Sequence, residues 1–184
     1  MIRLNNGAVI PQLAFGTYKV SIEECETVIE CAIKAGYRHF DCASIYGNEI
    51  AVGKALHKSG ISRNKLYICS KVWNDAQRKG RGAVRASLLR TLNDLMCEYL
   101  DMYLVHWPVP GHHIDTYKEL EELYEEGLIR SIGLSNYSQE VCITISHDAH
   151  IRLNIFVGIF KYYAQTAKKR FCPFLKFTNR IITN

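Results

Sequence analysis

The chain contains no C-x-x-C pair, no G-x-G-x-x-G run and no stretch of the roughly 18 uncharged apolar residues that a membrane-spanning helix needs. Each absence removes a class of function. Its seven cysteines are an odd number, scattered singly, which argues against a disulfide framework and for reduced thiols. The opening "MIRLNNGAVIPQL" has no long apolar h-region, so export is not expected, the sequon Asn136-Tyr137-Ser138 carries no weight, and the expected location is the cytoplasm. His112-His113 and His147-x-x-His150 stand apart from other candidate ligands, so no metal site is expected. Acidic residues are missing from one end only. Residues 149–184 hold seven Lys/Arg and no Asp or Glu, leaving 16 of the 23 basic and all 18 acidic side chains, a net charge of −2, in residues 1–148. The overall charge of +5 therefore resides in a basic tail that lacks a clear helical moment, and neither a nucleic-acid nor a membrane-surface partner is expected.

What is present is a core. At 184 residues and 48% hydrophobic, the chain can bury one sizeable interior. Asn6-Gly7 between short apolar runs predicts a hairpin. "LAFGTY" follows as a buried strand ending in Gly16-Thr17-Tyr18. Ser21 and Glu24 then form a capping box ahead of Cys25, Val28, Ile29, Ala32 and Ile33 at helical spacing, until Gly36 ends the run. The pattern repeats: "YRHFDCA" a strand, 48–59 a helix, "KLYICSKVW" a strand, about 82–98 a helix, "LDMYLVHWP" a strand, a helix capped by Asp115, and "IRSIGLSNY" a fifth strand. Continuous apolar strands alternating with amphipathic helices indicate an α/β protein with a parallel sheet. A doubly wound dinucleotide fold should carry its glycine fingerprint at the first turn, where "FGTYKV" stands instead; "GRGAVR" at 80–85 lacks the third glycine and follows a loop. A (β/α)8 barrel is the expected architecture.

In such a barrel the active site gathers where strand C-termini converge. Asp41 and Tyr46 follow the second strand, Lys71 ends the third and His106 ends the fourth. Singly, each has a structural explanation: a turn cap, a packed ring, a solvated lysine, a core histidine. Together they form an acid/base set. A phenol is a poor acid near neutrality until a neighbouring ammonium stabilises its phenolate. Lys71 can supply that charge, Asp41 can hold the lysine charged, and His106 can hydrogen-bond a carbonyl oxygen. The set suits a carbonyl that receives a hydride while its oxygen receives a proton.

"FDCASIYGNE", "SKVW", "LVHWP" and "GLSN", in this order and at these separations, closely resemble the aldo-keto reductase superfamily. "DTYKELEELYEEGLIRSIGLSNYS" is especially similar to its short-loop bacterial and protist members of the prostaglandin F synthase-like kind. The resemblance implies NADPH-dependent reduction of aldehydes or ketones by a monomer. It places the proton donor on Tyr46, its tuning lysine on Lys71, the partner carboxylate on Asp41 and the substrate-orienting histidine on His106. It sets Gly16, Thr17, Tyr18 and Asp41 around the nicotinamide, and Ser135 and Asn136 on its carboxamide. Tyr18, Trp73 and Trp107 would join His106 in walling the substrate pocket.

The resemblance covers residues 1–151, and 152–184 are expected to be a divergent basic tail. Family members are usually longer, so an incomplete barrel of five to six strands is expected. The family's Asn-Gln pair on the sixth strand is replaced by Asn154-Ile155. The alternative reading is therefore a catalytically silent fragment or partner-binding protein without the cofactor-binding C-terminal half, prone to aggregation at unpaired strand edges.

Overall fold

The computed structural model describes residues 1–4, 6–138, 141, 145 and 155–157. Two short antiparallel strands, β1 (Ile2–Arg3) and β2 (Val9–Ile10), make the expected hairpin. Gly7 takes φ 84° at its tip, and Asn6 folds back to accept from the Ala8 N–H at 3.0 Å. Six parallel strands follow in sequential order: β3 (Phe15–Gly16), β4 (His39–Asp41), β5 (Tyr67–Val72), β6 (Met102–Val105), β7 (Ile132–Ser135) and β8 (Ile155–Val157). Helices α1 (Cys25–Lys34), α2 (Glu49–Lys58), α4 (Ala83–Asp94) and α5 (His113–Glu125) connect them, and a short α3 (Asn74–Lys79) precedes α4.

Strand alternation divides the core into two layers. Phe40, Ile68, Val72, Tyr103 and Val105 face outward, where Val28, Ile29, Val52, Leu56, Leu88, Leu92 and Leu120 of the helices cover them. Tyr67, Cys69, Met102 and Leu104 face inward and meet Leu4 and Ile10 of the hairpin, which plugs the strands' N-terminal end. Both faces are covered, which is why the strands read as unbroken apolar runs. The inner row, where buried His39 lies against Tyr67, continues through Asp41, Lys71 and His106 to the C-terminal end.

Several boundaries differ from the sequence-based expectation. Asp115 does not cap α5: the helix opens at His113, and Asp115 falls within its first turn, where a carboxylate still suits the positive end of the helix dipole. Helix α4 ends at Asp94 rather than near 98, because Met96 turns into the left-handed region at φ 55°. At its other end, Glu119 of α5 accepts from the Gly82 and Arg85 N–H groups at 3.0 and 2.9 Å, capping a helix from across the fold. The sixth strand of the expected incomplete barrel is β8, which pairs in parallel with β7 in the register Gly133↔Ile155. Asn154, His147, His150 and the remainder of the basic tail lie outside the described residues.

Candidate active site

Asp41 ends β4, opposite Gly16 and Cys69 on the flanking strands. Thr17 fixes its backbone, donating to the Asp41 carbonyl from both its N–H, at 3.0 Å, and its hydroxyl, at 3.1 Å. Lys71, one residue before the end of β5, reaches from the inner face and donates to Asp41 Oδ1 at 2.6 Å and to the Cys42 carbonyl at 2.7 Å. Its side chain is only 4% exposed. Burial pulls the ammonium's pKa down more than any single neighbour lifts it, yet Asp41, Tyr46 and Cys69 together leave it above its ordinary value. Lys71 is therefore a buried, charged cation.

Tyr46 closes a single 3-10 turn, Ser44–Tyr46, which Gly47 ends at φ 71°. The Ser44 hydroxyl donates to the Lys71 carbonyl at 3.2 Å, tying this turn to β5. Lys71 Nζ lies 5.3 Å from the centroid of the Tyr46 ring. Burial raises the Tyr46 phenol above its ordinary value, and Lys71 is the strongest opposing influence. The ammonium thus acts in the expected direction, while the net displacement is upward because the ring is shielded from water. The phenol is protonated at neutral pH.

His106 follows β6, its N–H donating to the Val72 carbonyl at 3.2 Å and its own carbonyl accepting from Asn136 Nδ2 at 2.7 Å. Its ring stands edge-on to Tyr46 at 5.7 Å and to Trp73 at 5.1 Å between centroids. Burial, and then the Lys71 ammonium, push the imidazole down to about 3, so it is neutral above pH 4 or so. Its Nδ1 is buried without a hydrogen-bond partner among the described residues.

Around this centre, the Tyr18 ring lies tilted against Tyr46, 5.0 Å between centroids, while remaining 53% exposed. Trp107 is 39% exposed and makes no ring contact with Tyr46 or His106 among the described residues; its carbonyl instead accepts from Gln77 Nε2 at 3.0 Å. Ser135 is buried at the end of β7, and Asn136 follows in the left-handed region at φ 66°. With its amide nitrogen committed to His106, Asn136 keeps Oδ1 buried and without a hydrogen-bond partner among the described residues. Among the described residues, no cluster of three or more His, Cys, Asp or Glu side chains could hold a metal ion.

Three further residues shape the site without having been singled out by sequence. Asn48 is buried and donates from Nδ2 to the Thr17 and Val20 carbonyls at 2.9 and 2.8 Å, holding the loop that carries Tyr18. Glu49, buried beneath the same turn, bonds Ser70 and Thr91. Gln77 anchors the backbone of Trp107 from α3. Their only sequence signal was a polar residue beside one of the strand-end motifs.

The Aldo/keto reductase family model matches residues 12–179. Methylglyoxal reductase DkgA of Escherichia coli O157:H7 is 45% identical over 139 residues, spanning 74% of this chain and 49% of that protein. An aldo-keto reductase of Mycobacterium sp. (strain KMS) is 42% identical over 142 residues, 76% of this chain and 51% of that protein. Among solved structures, an aldo/keto reductase from Brucella melitensis superposes with a TM-score of 0.81 at 36% identity, covering 85% of this chain and 61% of its own. The Bombyx mori aldo-keto reductase in complex with NADP gives 0.79 at 32% identity, covering 85% and 57%. The chain thus spans about half the length of the curated relatives it matches. The chain belongs to the aldo/keto reductase family.

Proposed function

We propose that this chain carries the proton-delivery centre of an NADP(H)-dependent oxidoreductase that reduces aldehydes or ketones to alcohols. The observation that carries the reading is the buried Asp41–Lys71 ion pair beneath Tyr46, with neutral His106 against the same ring. A carbonyl oxygen placed between Tyr46 and His106 meets two groups that are protonated or neutral at pH 7. The imidazole orients and polarises that oxygen without carrying charge. As negative charge builds on the oxygen, Tyr46 gives up its phenolic proton, forming the alcohol O–H. The phenolate left behind is stabilised by the Lys71 ammonium, which Asp41 holds in place, and is reprotonated from solvent.

The residues present fit the nicotinamide end of the cofactor. Asn136 Oδ1, buried and without a partner among the described residues, is an acceptor that a carboxamide N–H can satisfy, and Ser135 lies beside it. Gly16, Thr17, Tyr18 and Asp41 would border the ring, since β3 and β4 end together here. When bound, the dihydronicotinamide supplies the hydride. Tyr18, Trp73 and Trp107 present aromatic faces at the rim, which favours carbonyl compounds with apolar substituents.

The same reading makes residues 1–151 the seat of the chemistry, with a small-molecule partner and a cytoplasmic monomer as the working form. Cys25, Cys42, Cys69 and Cys97 are free thiols, in keeping with a reducing compartment. No helix among the described residues is long and apolar enough to cross a membrane. The test is NADPH titration of the purified chain by protein fluorescence, followed by aldehyde reduction. Saturable binding with turnover lost in Tyr46→Phe is expected; a folded chain that binds no NADPH would end the proposal.

A further inference from the structure

The reaction proposed above gives no task to a carboxylate buried beside the Tyr46 turn. Glu49 opens α2, three residues beyond Tyr46, and is 5% exposed. Ser70 Oγ donates to its Oε1 at 2.5 Å and Thr91 Oγ1 to its Oε2 at 3.0 Å. All three side chains are buried. Ser70 is the residue before Lys71 on β5 and points to the outer face while Lys71 points inward. Thr91 lies on α4. One carboxylate therefore joins the Tyr46 turn, the Lys71 strand and the helix packed behind that strand.

A carboxylate in such a place is costly, and ordinary packing does not call for it. The surrounding architecture is fitted to it. Helix α2 approaches the end of α4 so closely that a Cβ on Gly53 would lie 2.7 Å from the Leu95 Cα, an approach that brings Glu49 within reach of Thr91. Asn48 ties the other side of the turn to the Thr17 and Val20 carbonyls, and Ser44 ties it to the Lys71 carbonyl. The turn that presents Tyr46 is thus braced against both neighbouring strands. Lys71 Nζ already spends two hydrogen bonds on Asp41 and Cys42, so its distance from Tyr46 depends on how β5 and the turn are held relative to each other.

We propose that Glu49 is a positioning residue for the Tyr46–Lys71 pair, clamping the turn that bears Tyr46 to the strand that bears Lys71 through Ser70 and to α4 through Thr91. The role given to the pair rests on the function proposed above; the clamp itself does not. Burial lifts the Glu49 carboxyl to about 7, the Ser70 and Thr91 hydroxyls pull it down, Asp94 on α4 raises it and Lys71 on β5 lowers it. The other titratable groups that feel its charge are Cys42, Cys97 and Tyr103.

The test is NMR of the full chain carrying 13Cζ-tyrosine and 13Cε-lysine at a fixed neutral pH, with the Tyr46 and Lys71 signals assigned through Tyr46→Phe and Lys71→Met. In Glu49→Leu, which fills the space but accepts no hydrogen bond, both signals should move, while that of Tyr124 on α5 stays in place. Glu49→Gln, which keeps an acceptor oxygen, should return both most of the way. If Glu49→Leu does not fold, Ser70→Ala removes one arm of the clamp and should move both signals in the same sense. Unmoved Tyr46 and Lys71 signals in a folded Glu49→Leu or Ser70→Ala chain would overturn the proposal, whatever happens to stability. Where the chain reduces aldehydes, Glu49→Leu should lower kcat about tenfold with KM changed by less than about threefold. A chain without reductase turnover whose signals still respond would refute the proton-donor reading and leave the clamp standing.

Discussion

The two ends of this barrel arc each bury an ion pair, and they are built differently. At the hairpin end, Asp101 pairs with Arg63 at 2.7 Å, accepts from the Ile68 N–H at 2.9 Å and has Arg130 at 3.9 Å. Arg63 also donates to the Leu66 and Tyr99 carbonyls, and both guanidinium groups lie over the Tyr99 ring, at 4.1 and 3.7 Å from its centroid. The charge is spread over planar forks and fixed from several sides. At the other end, Asp41 meets Lys71, a point charge on a flexible stem with two acceptors and a phenol ring beside it. Arginine serves where charge must stay fixed. In the proposed function, lysine serves where the neighbouring group is to change its charge.

The contrast can be broken most sharply at Lys71. Lys71→Met should lower aldehyde reduction by about a hundredfold or more while the chain stays folded, because the phenolate loses its counter-charge. Steady-state rates and circular dichroism would check this. Arg63→Met should do the reverse, costing about 3 kcal/mol in urea unfolding by leaving Asp101 poorly paired, with kcat changed by less than about twofold.

Smaller effects concern pH. The folded chain holds the Glu49 proton more tightly than the unfolded chain does, since its pKa rises from 4.5 to about 7. The associated stability is present below about pH 4.5 and is lost as pH rises through about 7. Glu49→Gln should therefore gain on the native chain between pH 5 and pH 8, by about 1–3 kcal/mol in urea midpoints converted to free energy. The smallest expected effect is at His106. With its pKa near 3, the rate of reduction should show no limb from this imidazole between pH 5 and pH 8; a limb near 6.5 that disappears in His106→Asn would contradict the burial argument.

Much of this was legible in the sequence because local pattern and global fold agree. Apolar runs bounded by glycines gave the strands, and Asp41, Lys71 and His106 stood out by ending or following such runs, which is where the barrel brings them together. What was not legible depends on contacts across the fold. Helix α3 is a short polar segment held by the Gln77 bond to Trp107, 30 residues away. The start of α4 is capped by Glu119 from α5, which no local rule could show. Asp115 looked like a cap because it is a good cap former, but two histidines precede it into the helix. Glu49 is one of several acids in a first helical turn, and only its burial under Ser70 and Thr91 distinguishes it. The net displacement of Tyr46 also depended on burial, which outweighs Lys71.

The central claim is that Lys71, held by Asp41, makes Tyr46 a proton donor while the Asp101 cluster only holds the fold together. The most direct measurement is the single-turnover rate of aldehyde reduction at saturating NADPH in Lys71→Met beside Arg63→Met. A rate reduced by about two orders of magnitude in the first and near native in the second is the predicted result. Equal rates in the two variants would contradict the account.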